Sequence, residues 1–90
     1  MAKKGFSGKN IENVPEGPGV YKLYNSQDSI TYVGKTKNLQ ERLQQHLNEE
    51  DIPNIRRFET EKTATTKEAE TKEKNLIQRH KPIHNIKDKE

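Results

Sequence analysis

Val20-Tyr21-Lys22-Leu23-Tyr24 and Ile30-Thr31-Tyr32-Val33-Gly34 flank the turn-forming run Asn25-Ser26-Gln27-Asp28-Ser29. The flanks are rich in β-branched and aromatic residues, which suit a pleated surface. The run between them carries Asn, Asp and Ser, whose side chains close turns on their own backbone. The stretch therefore reads as a β-hairpin, entered through the rigid turn Pro15-Glu16-Gly17-Pro18-Gly19. Beyond it the period changes. Asn38 with Glu41 three residues on resembles a capping box, and Leu39, Leu43 and Leu47 recur at helical spacing, predicting a helix over roughly 39–48. Glu49-Glu50-Asp51 is unfavourable at the negative end of a helix and marks the stop. Arg57 to Lys62 alternates weakly, as a short third strand does, and Thr65 with Glu68 opens a second helix of about fifteen residues that Pro82 ends. The order strand, strand, helix, strand, helix predicts a small α/β domain, a three-stranded antiparallel sheet flanked by helices.

Composition narrows the function. Ninety residues, 27 % hydrophobic and 34 % charged, suffice for one domain with a thin core, which favours a flat or grooved surface over a deep private cavity. The absence of cysteine removes disulfide frameworks and thiolate metal sites, and the absence of a long apolar run removes a transmembrane or secretory segment, leaving a cytoplasmic protein as the expectation. Lys3, Lys4 and Lys9 account for the whole net charge of +3, so residues 11–90 are neutral. Residues 1–10 read as a disordered basic arm before an ordered domain over 11–88. Nucleic-acid binding then depends on local placement of Lys and Arg rather than on bulk charge.

A few residues break the pattern of a bland amphipathic fold. At about 100° per residue, Ala69, Leu76, His80, Glu73 and Ile77 fall within one stripe about 100° wide, whereas Glu68, Glu70, Lys72 and Lys74 lie outside it. A carboxylate on a packing face is either salt-bridged and reaching to water, or it is a metal ligand or catalytic acid. On the first helix, Arg42 and His46 form an i, i+4 pair beside the leucine ridge, an ordinary surface feature or, with the five-donor fork of arginine, a phosphate ligand. Tyr21 and Tyr32 read as cross-strand aromatic partners. Gly34-Lys35-Thr36 is similar to the end of a phosphate loop, but Ile30 occupies the place of its first glycine. His80 and His84 lack a partner at zinc-binding spacing, and no dinucleotide fingerprint or Ser or Cys nucleophile with a paired base is present.

The run Gly19-Val20-Tyr21, then Tyr32-Val33-Gly34 eleven residues after Tyr21, Lys35-Thr36-Lys37-Asn38-Leu39, Arg42, Glu73-Lys74-Asn75-Leu76-Ile77 and Lys81-Pro82-Ile83-His84-Asn85 resembles the GIY-YIG nuclease family, and within it the UvrC-like incision domains. The matched strings keep their order over residues 15–86. The resemblance implies an α/β domain of the GIY-YIG type with Tyr21 and Tyr32 as paired active-site tyrosines, Lys35 beside them, Arg42 as the helix arginine, Glu73 as the metal-binding carboxylate and Asn85 as the late asparagine. His46 stands where UvrC-like members usually carry tyrosine, as some restriction-type members do.

The implied activity is hydrolysis of DNA phosphodiester bonds with one Mg²⁺ or Mn²⁺ ion. Such a reaction needs a deprotonated water and stabilisation of charge on the phosphoryl oxygens. Glu73 would hold the ion and Arg42 would donate to the non-bridging oxygens. The base is either His46, whose residue type titrates near neutrality, or Tyr21, its phenol lowered by nearby Lys35. Lys37, Arg42 and Asn85 are the expected DNA contacts. With no recognisable specificity element, a further protein or domain is expected to supply targeting. The other reading is a nucleic-acid- or partner-binding module of the same fold with little activity of its own.

Overall fold

The computed structural model describes residues 4–49, 52 and 54–81. In chain order the elements are β1 (Lys4–Gly5), α1 (Gly8–Ile11), β2 (Gly19–Asn25), β3 (Ile30–Thr36), α2 (Leu39–Glu49), β4 (Ile55–Lys62) and α3 (Thr66–His80). The hairpin forms as expected because Asn25 closes it. Its side-chain oxygen accepts the N–H groups of Gln27 (2.9 Å) and Ser29 (3.0 Å), while Asp28 takes the left-handed conformation the turn requires. The sheet is antiparallel in the order β1-β4-β2-β3. β2 is therefore interior and β3 lies at an edge.

Strand alternation sorts the side chains onto two faces. Tyr21, Leu23 and Phe58 point to one face, where Ile11, Val14, Leu39 and Leu43 complete a buried core with α1 and α2. Val20 and Val33 point to the other, against which α3 lays its buried Ala69. Both N-caps form as the sequence predicts, but the return half of each capping box differs: the Asn38 N–H donates to Thr36 Oγ1 at 3.1 Å instead of to Glu41, and Glu68 reaches Ala64 instead of Thr65. Asn38 Oδ1 accepts the N–H of Glu41 (3.1 Å), Thr65 Oγ1 accepts that of Glu68 (3.1 Å), and the Glu68 carboxylate accepts that of Ala64 (2.8 Å). α3 closes at Lys81, whose left-handed backbone donates to the Ile77 carbonyl at 2.7 Å. Pro82, the expected terminator, lies outside the described residues.

Two expectations are corrected. Residues 4–10 are not a disordered arm: Lys4 and Gly5 pair with Phe58 and Arg57 of β4, the Phe6 N–H donates to the Arg56 carbonyl at 2.9 Å, and Ser7 caps α1. The sheet accordingly has four strands rather than three. The physical reason is that β4 would otherwise expose a backbone edge and Phe58, which β1 covers, with the Phe6 ring edge-on to Phe58 at 6.2 Å. A two-residue strand and a four-residue helix are too short to leave a period in the sequence. Phe6→Ala is therefore expected to destabilise the domain by about 2 kcal/mol, half the usual cost for a fully buried ring because Phe6 is half-buried. Urea titration checks this, and an unchanged midpoint would return the segment to the status of a passenger.

Candidate active site

Tyr21 and Tyr32 are not directly opposed. In register Tyr21 faces Gly34 and Leu23 faces Tyr32, so the two tyrosines are diagonal neighbours on one face with ring centroids 6.0 Å apart. His46 descends from α2 to complete a triangle, 5.5 Å from Tyr21 and 5.6 Å from Tyr32. The Tyr21 hydroxyl and His46 Nε2 are hydrogen-bonded at 2.9 Å. Both residues are buried, at 1 % and 3 % exposure, so this polar pair is shielded from bulk water. Tyr32 is half-buried and lies at the open side of the triangle.

The two glycines of the motif explain the placement. A Cβ on Gly34 would stand 2.5 Å from both Cζ and the hydroxyl of Tyr21, so the phenol lies directly across the bare backbone of the edge strand. A Cβ on Gly19 would stand 2.5 Å from the Glu61 carbonyl and 2.7 Å from Leu39, which sets how closely α2 approaches the sheet. Close approach of backbone and side chain is what demands glycine at these two places. Sequence spacing pointed to both glycines without revealing this cause.

Burial drives the Tyr21 phenol well above its ordinary value. The neighbouring Tyr32 adds to the rise, while the positive charge and hydrogen bond of Arg42 oppose it. This reverses the expected lowering by Lys35. The reason is alternation: Lys35 pairs with Val20, one position along from the Tyr21–Gly34 pair, and so projects to the opposite face. There its Nζ lies 3.8 Å from Glu73 Oε1.

Glu73 itself meets the helical-stripe expectation. Its side chain is 18 % exposed, beside half-buried Leu76 and Ile77, whereas His80 at the thinning end of the stripe is exposed. Arg42 is half-buried, and Gln45 Oε1 accepts from its Nη1 at 2.9 Å. Gln45 is a holding residue that the sequence reading passed over, although its i, i+3 spacing from Arg42 was a usable signal. Lys37 is exposed between β3 and the Asn38 cap. Asn85 lies outside the described residues.

The assembly thus wraps around edge strand β3, with Tyr21, Tyr32, His46 and Arg42 toward α2 and Lys35 with Glu73 toward α3. Among the described residues no group of three or more His, Cys, Asp or Glu converges. The lone, partly shielded carboxylate fits a hard ion that keeps most of its waters, as Mg²⁺ does, and does not fit zinc. No helix among the described residues is long and apolar enough to cross a membrane.

A small antiparallel α/β domain with two motif tyrosines, a helix arginine and a single helix carboxylate defines the GIY-YIG class. Residues 17–86 match the family model for the UvrC-like GIY-YIG domain, and the chain belongs to that family. It is 39 % identical to the UvrABC system protein C of Methanosphaera stadtmanae over 87 % of its length and 40 % identical to that of Ligilactobacillus salivarius over 88 %. In each case it spans 15 % of the relative. Its fold superposes on the GIY-YIG N-terminal endonuclease domain of Thermotoga maritima UvrC bound to magnesium, its catalytic divalent cation. The TM-score is 0.70 at 34 % identity, covering 86 % of this chain and 92 % of that one. A point mutant of the same domain, bound to its catalytic divalent cation, gives 0.73 at 32 % identity, covering 84 % and 90 %.

Proposed function

We infer that this chain is a divalent-metal-dependent endonuclease domain that hydrolyses DNA phosphodiester bonds. The observation that carries the reading is the buried Tyr21–His46 hydrogen bond of 2.9 Å, set beneath Tyr32 and within the field of Arg42. With its Nε2 unprotonated, His46 accepts the Tyr21 proton while the phenol oxygen takes a proton from water. The water becomes hydroxide-like, the phenol is regenerated and the imidazole ends protonated, so no free phenolate is required. This matters because burial disfavours that phenolate. The planar fork of Arg42, steadied by Gln45, donates to the non-bridging oxygens as their charge grows. Tyr32 positions the attacked phosphate at the open side of the triangle. Lys35 neutralises the Glu73 side of the site, and Lys37 contacts the DNA backbone, with Asn85 as a further contact.

Glu73 would hold the divalent ion, which would supply Lewis-acid stabilisation of the leaving oxygen. Mg²⁺ is the expected ion, supported by its presence in the Thermotoga domain, and Mn²⁺, which accepts the same oxygen donors, should substitute. That the relatives are called protein C of a UvrABC system supports targeting by partner proteins or further domains, and a role in DNA repair.

Nicking of a supercoiled plasmid tests the reading. Cleavage is expected with Mg²⁺ or Mn²⁺ and is expected to stop on chelation. Binding without cleavage under every metal would move the chain to the non-cutting module. Arg42→Lys keeps the charge but loses the fork, and is expected to slow the single-turnover rate by about tenfold or more with only mild weakening of DNA binding. Equal rates in the two proteins would remove Arg42 from the transition state.

A further inference from the structure

We propose that the end of the sheet where β3 and β4 finish carries the DNA backbone flanking the cut, with Lys62 joining Lys37 as a phosphate contact. The proposal deepens the endonuclease reading and rests on it.

Lys22 is tied to Glu59 at 3.2 Å, Lys72 to Glu61 at 2.7 Å, Arg57 to Asp28 at 3.9 Å and Lys35 to Glu73 at 3.8 Å. Lys62 and Lys37 make no ion pair among the described residues, and both are exposed. Other exposed cations, such as Lys67, Lys74 and Arg79 of α3, also lack an ion pair among the described residues, so position at this end of the sheet, together with free charge, selects Lys62 and Lys37. Cations already neutralised contribute little to polyanion binding, whereas free ones release counterions from it.

Placement completes the argument. Thr36, Gly19 and Lys62 form one row across β3, β2 and β4, on the face that also carries Tyr21. Glycine at the centre of that row lets Leu39 of α2 pack directly on the sheet, 2.7 Å from where a Cβ would stand, so the start of α2 is drawn down onto the row. Two strand spacings separate the flanks by about 10 Å, the length of about three base steps. The Lys62 side chain lies over Gly17, where a Cβ would stand 2.9 Å from its Cε and 3.6 Å from its Nζ. The Gly17 carbonyl in turn accepts the Leu39 N–H at 2.9 Å, so the ammonium is carried to the start of α2, two residues from Lys37. A phosphodiester strand leaving the Tyr21–Tyr32 face thus meets Lys37 and Lys62 where β3, β4 and the start of α2 come together. The outer surface of α2 offers the opposite chemistry, a groove holding Glu12, Glu16 and Glu41 among amides with neither Lys nor Arg. Polyphosphate is repelled there.

Fluorescence anisotropy of a short labelled DNA duplex, titrated with the full chain over a range of salt concentrations without divalent metal, tests the surface. Lys62→Gln and Lys37→Gln are each expected to weaken binding about eightfold near 0.1 M salt and to flatten the log–log salt slope by about 0.9. Lys62→Arg should restore both, and Lys72→Gln, which removes a lysine already tied to Glu61, should leave both unchanged. Wild-type affinity and slope in Lys62→Gln, from a chain that binds and nicks DNA, would place the backbone elsewhere and overturn this surface alone. Failure of the unmodified chain to bind duplex would overturn the surface together with the endonuclease reading.

Discussion

Glu73→Gln is expected to abolish metal-dependent nicking, by more than about a hundredfold, while leaving the fold intact. The amide preserves volume and the position against α3's stripe but removes the charge a divalent ion needs. Little stability is at stake. The carboxylate's ion pair with Lys35 is long, at 3.8 Å, and the lysine side chain is 45 % exposed, so the pair contributes less than about 1 kcal/mol. Nicking, Mg²⁺ binding and the thermal midpoint without metal should be measured on the same preparation. Lost cleavage and metal binding at an unchanged midpoint is the expected result. Undiminished cleavage, or a large fall in midpoint without metal, would make Glu73 a packing residue that happens to pair with Lys35.

The second large effect concerns the Tyr21–His46 pair. Tyr21→Phe keeps the ring that lies across Gly34 but deletes the hydroxyl, and should cut the rate by more than about a hundredfold. It should also cost about 1–3 kcal/mol, because buried His46 loses the hydrogen-bond partner of its Nε2. The pH dependence separates the roles. Since burial raises the Tyr21 phenol, the phenolate is scarcer at every pH below its titration than for an exposed tyrosine. A mechanism drawing on free phenolate would therefore climb about tenfold per pH unit past pH 10. Relay to His46 removes that demand, and the wild-type rate should level off before about pH 9. His46→Phe should then be slow and acquire the steep alkaline climb, since Tyr21 must ionise unaided. A wild-type profile that keeps climbing, together with a nearly fully active His46→Phe protein, would make Tyr21 the sole base.

Most of the architecture was legible because its signals are local. Asn25, Asn38, Thr65 and Glu68 act on backbone groups within four residues of themselves, and the hairpin turn and both N-caps form where their spacing predicts, with Glu68 reaching Ala64 one residue before its cap. The Leu39–Leu43 ridge and the Ala69–Glu73 stripe are consequences of helical period alone. Residues 4–10 were misjudged for the converse reason. Lys4–Gly5 and Phe6 are ordered by β4, fifty or more residues away, and a segment stabilised by a distant edge carries no period of its own.

The site divides along the same line. By itself the sequence singled out the candidates: Tyr21, Tyr32, Arg42, His46 and Glu73 all stand out by motif, by helical spacing or by a charge on an apolar stripe. Only the tertiary structure decided how they act on one another. Strand register made the tyrosines diagonal rather than opposed and sent Lys35 to the face of Glu73, away from the phenol it was expected to lower. The approach of α2 brought His46 Nε2 onto the Tyr21 hydroxyl and buried both, which raised the phenol instead. Residue identity and local spacing are written in the chain, but pKa, burial and hydrogen-bond partner depend on which groups meet across elements, and that is settled when the sheet chooses its register and the helices dock.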